Sequence, residues 1–158
     1  MTGSSSTFQA LCEALDDEYR ARATYRAVIA KFGPVLPFAN IVHSEQRHAD
    51  ALIRLFLDRG WQPPADRWDG HVQAPDTVTE ACRIGVEAEI ENVALYDRLF
   101  AMTDDAEVVS VFTALRWASQ ERHLPAFQRC LNGEQMGGGG CGGGGCGCGG
   151  GGRRRRAA

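Results

Sequence analysis

The sequence predicts an all-α protein: four helices arranged as two antiparallel hairpins, joined by one long crossover connection. Three observations predict it. Four segments carry apolar residues at alternating spacings of three and four, the period of one helix face. Two of the intervening turns are only a few residues long, at Gly33 to Leu36 and at Thr103 to Asp105, so the helices flanking each turn are antiparallel neighbours. The remaining stretch, Gly60 to Pro75, has no helical period and carries three prolines, as a connection does.

The first helix is expected over about Thr7 to Phe32, with Thr7 or Ser6 as N-cap and Gly33-Pro34 as its stop. Its seam reads Phe8, Leu11, Leu15, Glu18, Arg22, Tyr25, Ile29, Phe32, apolar at both ends and polar in the middle. The second helix starts near Pro37, a residue favoured in a first turn, and stops at Gly60. Phe38, Ile41, Glu45, His48, Leu52 and Leu55 form its seam. The sixteen residues from Gly60 to Pro75 reach roughly 50 Å when extended, against about 33 Å for a 22-residue helix, so they can travel the length of a bundle. Trp61 and Trp68 are expected to pack this connection down.

The third helix is expected from Asp76 as N-cap to about Met102, with Val78, Cys82, Gly85, Glu89, Asn92, Tyr96 and Leu99 inward. The fourth runs from about Asp104 to Leu131 and is ended by Asn132-Gly133; it buries Phe112, Leu115, Ser119, His123, Phe127 and Cys130 or Leu131. Two helical hairpins with one long crossover describe a ferritin-like four-helix bundle.

Length and composition fit one such domain, 7–133, between a Ser-rich, disordered N-terminus, 1–6, and a disordered Gly/Cys-rich tail, 134–158, ending in Arg153 to Arg156. The net charge of −3 hides an asymmetry: without those four arginines, 13 basic residues face 20 acidic ones. An acidic bundle is a poor match for nucleic acid. No apolar run is long enough for a membrane span, and the N-terminus lacks the basic start and apolar centre of a signal peptide, so a cytoplasmic protein is expected. Cys12, Cys82 and Cys130 stand singly inside helical patterns and read as free, buried thiols; Cys141, Cys146 and Cys148 lie in the tail. No Cys-x-x-Cys occurs, which excludes a rubredoxin-type iron site and a zinc ribbon. The tail offers soft-metal capture by its thiols or anionic-surface binding by its arginines, beside the plainer reading of a flexible extension.

Each seam is polar at its centre. Glu45 and His48 stand three residues apart, on one helix face, so both can reach one point in a bundle interior. The two hairpins also resemble each other: Glu18 precedes Tyr25 by seven residues, Glu89 precedes Tyr96 by seven, and each second helix delivers a histidine, His48 or His123. An internal duplication would produce this pattern.

Glu18 to Tyr25 (EYRARATY), followed by Glu45-Gln-Arg-His48, is similar to the start of rubrerythrin and other ferritin-like di-iron proteins. SEQRHADAL at Ser44 to Leu52, GVEAEIEN at Gly85 to Asn92 and HLPAF at His123 to Phe127 resemble the ferritin-like domain-of-unknown-function family 2202, in the right order over about Phe8 to Leu131. The resemblance implies metal ligands at Glu18, Glu45, His48, Glu89 and His123, and a di-iron centre, with manganese as the other candidate. A sixth ligand is missing from the pattern, because Gln120 stands three residues before His123. Glu121 is a further candidate, although it lies about 200° round the helix from His123. Pro125 removes the hydrogen bond to the Glu121 carbonyl and distorts that turn, by less than would align both side chains.

A metal-free alternative stays open. Arg22 and Arg116 project from the same seams and could neutralise the three carboxylates, whose unpaired burial would cost several kcal/mol each. His43 and His71 read as surface histidines, Glu87 and Glu91 as solvent-facing, and Tyr25 and Tyr96 as core aromatics or hydrogen-bond donors beside a metal. Two function classes follow. One is a di-iron oxidase or peroxidase that meets oxygen or peroxide and takes electrons from an external donor. The other is a non-enzymatic module for metal storage or assembly. Either is compatible with a homo-oligomer.

Overall fold

The computed structural model describes residues 2–134, with side chains from Ser4 onward. Expectations for Met1 and for the tail from 135 to 158 lie outside the described residues. Helices α1 (Thr2–Phe32), α2 (Phe38–Asp58), α3 (Val78–Leu99), α4 (Ala106–Ala118) and α5 (Leu124–Leu131) make up an all-helical bundle. A short 3-10 turn, Phe100–Met102, extends α3, and a π turn, Ser119–His123, joins α4 to α5 as one rod. Among the described residues there is no strand, and no helix is long and apolar enough to cross a membrane.

The helix ends follow turn chemistry, with shifts. Gly33 and Gly133 take φ of 82° and 73°, the left-handed conformation that stops a helix at little cost for glycine. Asp105 caps α4 by accepting the amide protons of Glu107 and Val108. Thr77, one residue after the expected Asp76, caps α3 by accepting from the Glu80 amide at 3.1 Å. The largest shift is at the N-terminus: α1 already begins at Thr2, so the stretch expected to be disordered is helical. Thr7 is then an interior residue; it is buried, and its hydroxyl lies 2.9 Å from that of Thr103 instead of capping.

Neighbouring helices run antiparallel, as their contacts record. Along α1 and α2, Phe8 meets Phe56, Glu18 meets His48 and Tyr25 meets Phe38. From α3 to the rod of α4 and α5, Tyr96 meets Phe112 and Cys82 meets Cys130. The connection lies along α1: Trp61 packs edge-on against Phe8, Trp68 donates its indole N–H to Asp16, and Lys31 reaches the Pro75 carbonyl. Two apolar clusters, each built around buried aromatics and aliphatics, fill the ends of the bundle; Tyr96 and Phe112 belong to one, Tyr25 and Phe127 to the other. Each fully buried side chain of this size contributes roughly 1.5–3 kcal/mol. Gly85 is required by packing: a Cβ there would stand 2.6 Å from the Phe127 ring.

The cysteines correct the sequence reading. Cys82 and Cys130 are not free thiols but a disulfide that ties α3 to α5, with Cα atoms 6.0 Å apart. Nothing in their spacing announces it, because the partners are 48 residues apart on different helices. Cys12 is free, and burial raises its thiol above the ordinary range.

Candidate metal centre

Between the two apolar clusters lies a layer of ionisable side chains. Glu18, Glu45, Glu89, His123 and His48 are 1%, 2%, 3%, 4% and 9% exposed. So deep a burial needs compensation in every member. The α1, α2 and α3 seams turn these residues inward by their spacing of three and four. The fourth is delivered differently. Pro125 has no N–H, and its ring crowds the Glu121 carbonyl, so the preceding turn opens and the Leu124 amide donates to the Ser119 carbonyl, five residues back. The π turn buries Ser119 and His123 and leaves Gln120 and Glu121 exposed.

The layer resolves into two groups. In the first, His48 Nδ1 lies 3.1 Å from Glu18 Oε2 and 3.0 Å from Glu45 Oε2. In the second, His123 Nδ1 lies 3.1 Å from Glu45 Oε1 and 3.6 Å from Glu89 Oε1. Within each group one donor atom per residue lies within 4.8 Å of the others. Glu45 belongs to both groups, one oxygen toward each histidine, and the imidazoles stack with centroids 5.4 Å apart. His123 Nδ1 is buried yet in hydrogen-bond alignment with none of its neighbours. A nitrogen aimed between two carboxylates without bonding either is placed as a ligand would be.

The tyrosines cross over. Tyr25 on α1 donates to Glu89 of α3 at 2.9 Å, and Tyr96 on α3 donates to Glu18 of α1 at 2.7 Å. Each glutamate is thus oriented by the tyrosine of the other half. Burial, reinforced by the adjacent glutamates, pushes both phenols well above their usual range, so they remain donors.

Proton affinities reflect the crowding. Burial opposes charge on His48, but its hydrogen bonds to Glu18 and Glu45 outweigh that and push it up to about 10. Burial opposes charge on His123 as well, but the carboxylates of Glu45 and Glu89 close to its Nδ1 outweigh that and push it up to about 9. Burial raises Glu18. Glu45 is held down despite burial, because both histidines face it. In the metal-free protein the carboxylates thus hold both imidazoles toward their charged form.

Five of the six candidate ligands thus converge, and Glu121 does not. It is exposed and outside both groups, on the solvent side of the π turn. The arginines do not serve the layer either. Arg22 donates to Gln46 and Asp66, each at 2.6 Å, and Arg116 to Asp97 and Gln120. Arg22 is drawn aside because the connection brings Asp66 to it; its Nε is buried and unbonded. His43, His71, Glu87 and Glu91 are exposed, as expected. The sequence reading overlooked Asp17, which accepts from Asn92 Nδ2 at 2.8 Å and from Arg20 at 2.7 Å beside the layer. Its only signal was adjacency to Glu18.

The donor set, carboxylate oxygens with imidazole nitrogens, suits iron or manganese better than soft metals. No family model and no curated protein matches the chain. Two solved structures share its fold. A hypothetical protein of Methanococcus jannaschii aligns with TM-score 0.72 and 24% identity over 80% of this chain and 79% of its own. A conserved hypothetical protein of Mycobacterium tuberculosis aligns with TM-score 0.69 and 18% identity over 87% of this chain and 98% of its own.

Proposed function

We propose that this chain is a ferritin-like protein, its hairpins joined by the crossover 59–77, that binds two iron ions in the layer of Glu18, Glu45, His48, Glu89 and His123. The observation that carries this reading is Glu45, shared between two Glu/His groups, with a buried His123 nitrogen left without an aligned partner. Glu18, Glu45 and His48 would hold one ion, and Glu45, Glu89 and His123 the other; manganese suits the same donors. When bound, the metal supplies electron transfer and Lewis acidity toward oxygen or peroxide. The reading is therefore an oxidoreductase of the rubrerythrin kind, whose electrons come from an external donor. A metal store with the same layer is the second reading.

The chain's own residues have definite tasks in either case. Tyr25 and Tyr96 each hold Oε1 of a glutamate, Glu89 and Glu18 in turn; on Glu18 this leaves Oε2, which faces His48, free to ligate, whereas on Glu89 the held oxygen is itself the one that faces His123. Both histidines must surrender a proton to ligate through Nδ1, so uptake releases protons and strengthens as pH rises.

Anaerobic reconstitution with ferrous iron, followed by metal analysis and thermal unfolding, tests the reading. About two ions per chain are expected. Binding to the native state alone adds about 2.7 kcal/mol at a hundredfold excess over Kd. His48→Ala should abolish that gain. If no ion is retained and Arg22→Met proves more damaging than His48→Ala, the layer is a structural polar core.

A further inference from the structure

A cleft of about 190 Å³ between α1 and α3 leads from the surface to this layer, with Glu45 and Glu89 on its lining. At ~30 Å³ for a liquid water it has room for several waters, or for one partly hydrated ion. Asp17 and Asn92 form its walls; Arg20 and Glu91 stand at its exposed rim. Glu87 also lines it, so five carboxylates face a single guanidinium. A low-dielectric cleft with that balance concentrates cations and repels anions.

Asn92 gives the second observation. It is 6% exposed, and its Nδ2 donates to Asp17 Oδ2. A carboxylate only accepts, so the amide orientation is fixed and the carbonyl oxygen faces away from Asp17. That Oδ1 is buried without a hydrogen-bond partner. An orphaned acceptor of this kind calls for a donor or a cation. Asn92 follows Glu89 by three residues, so it stands one helix turn from a member of the layer and on the same face. Arg20 bridges the rim, 2.7 Å from Asp17 and 3.8 Å from Glu91.

We propose that this cleft is a loading site for divalent cations. Asp17, Asn92 Oδ1 and Glu91 take up an ion from solvent and pass it to Glu89 and Glu45, and Arg20 is the counter-ion the incoming metal displaces. The proposal rests on the reading of the layer as a metal centre, yet none of its three receiving residues belongs to either Glu/His group.

The test is stopped-flow loading of the full-length chain with Co²⁺ alone, followed by visible absorbance, with Cys141, Cys146 and Cys148 replaced by serine so that thiolates do not compete. Asp17→Asn and Asn92→Leu should each slow loading by at least about tenfold, the low end of electrostatic steering. Final occupancy should stay that of the parent. Arg20→Ala should load faster, and the parent rate should fall more steeply with salt than that of Asp17→Asn. Asn92→Asp, which keeps the side-chain shape, separates misfolding from loss of the oxygen donor and should load at least as fast as the parent. Unchanged rates in Asp17→Asn and Asn92→Leu overturn the proposal, as does a slower rate matched by an equal loss of equilibrium affinity, which would make these residues part of the centre. No Co²⁺ uptake by the parent removes the metal centre itself and the loading site with it.

Discussion

The first hairpin, α1 and α2, and the second, α3 to α5, are built to one plan and differ at a few equivalent positions. Counted from the glutamate and the histidine of each half, Glu18 answers to Glu89, Tyr25 to Tyr96 and His48 to His123. Seven residues outward, Leu11 and Leu55 answer to Cys82 and Cys130; four outward, Ala14 and Leu52 answer to Gly85 and Phe127. The first half fills its end of the core with two leucines, where the second uses a covalent bond. Phe127 is larger than Leu52, and Gly85, smaller than Ala14, makes room for it. Glu45 has no equivalent, because its counterpart by count is Gln120, which is exposed. The difference teaches that a near-twofold scaffold can carry a lopsided site, with three carboxylate or imidazole groups from one half and two from the other.

The largest expected effect contrasts those unmatched positions. Glu45→Ala removes the carboxylate that faces both histidines and leaves a cavity, at a cost on the order of 3 kcal/mol in the metal-free protein. It should also abolish the stabilisation by metal. Gln120→Ala, on the surface, should stay within about 0.5 kcal/mol. Denaturant unfolding of both variants decides the matter, and a comparable loss in Gln120→Ala would break the contrast.

Next comes the disulfide. Its reduction removes a cross-link over 48 residues and should cost about 2–4 kcal/mol. Thermal unfolding with and without reductant measures the loss. Cys82→Leu with Cys130→Leu, which copies the apolar solution of the first half, should lose its sensitivity to reductant; persistence of that sensitivity would place the effect elsewhere.

The smallest effect concerns the two histidines, one from each half. Both have proton affinities raised in the folded state, so their contribution is complete below the unfolded value of about 6.5 and is lost as pH rises. The metal-free protein should therefore lose on the order of a kcal/mol or more between pH 7 and 10, while the metal-loaded protein should not. His48 and His123 should both keep their protons well above the ordinary imidazole range, near 10 and near 9, because carboxylates face each of them. An NMR titration of the metal-free protein that finds either imidazole neutral at pH 7 would show that the carboxylates facing it do not hold its proton.

The helical architecture was legible because seam periodicity survives in one sequence. All six α2 seam residues are buried, and so are six of the seven on α3, Val78 being the exception. The polar centre was legible for the same reason. What escaped was whatever depends on contacts between distant segments or on departures from the regular period. Cys82 and Cys130 meet only once α3 packs on α5. Arg22 leaves the layer only because Asp66, 44 residues later, is laid beside it. Glu121 was weighed as a ligand in a turn whose distortion by Pro125 could be foreseen, but whose direction could not.

That π turn changes what a sequence motif means. Gln120→Glu would write a second Glu-x-x-His into the chain, and a pattern search would count a sixth ligand. The widened turn would carry the new carboxylate to solvent with the residue it replaced. Between Ser119 and His123 the spelling of the sequence and the phase of the helix have come apart, so a ligand restored in the alphabet would still be missing in space.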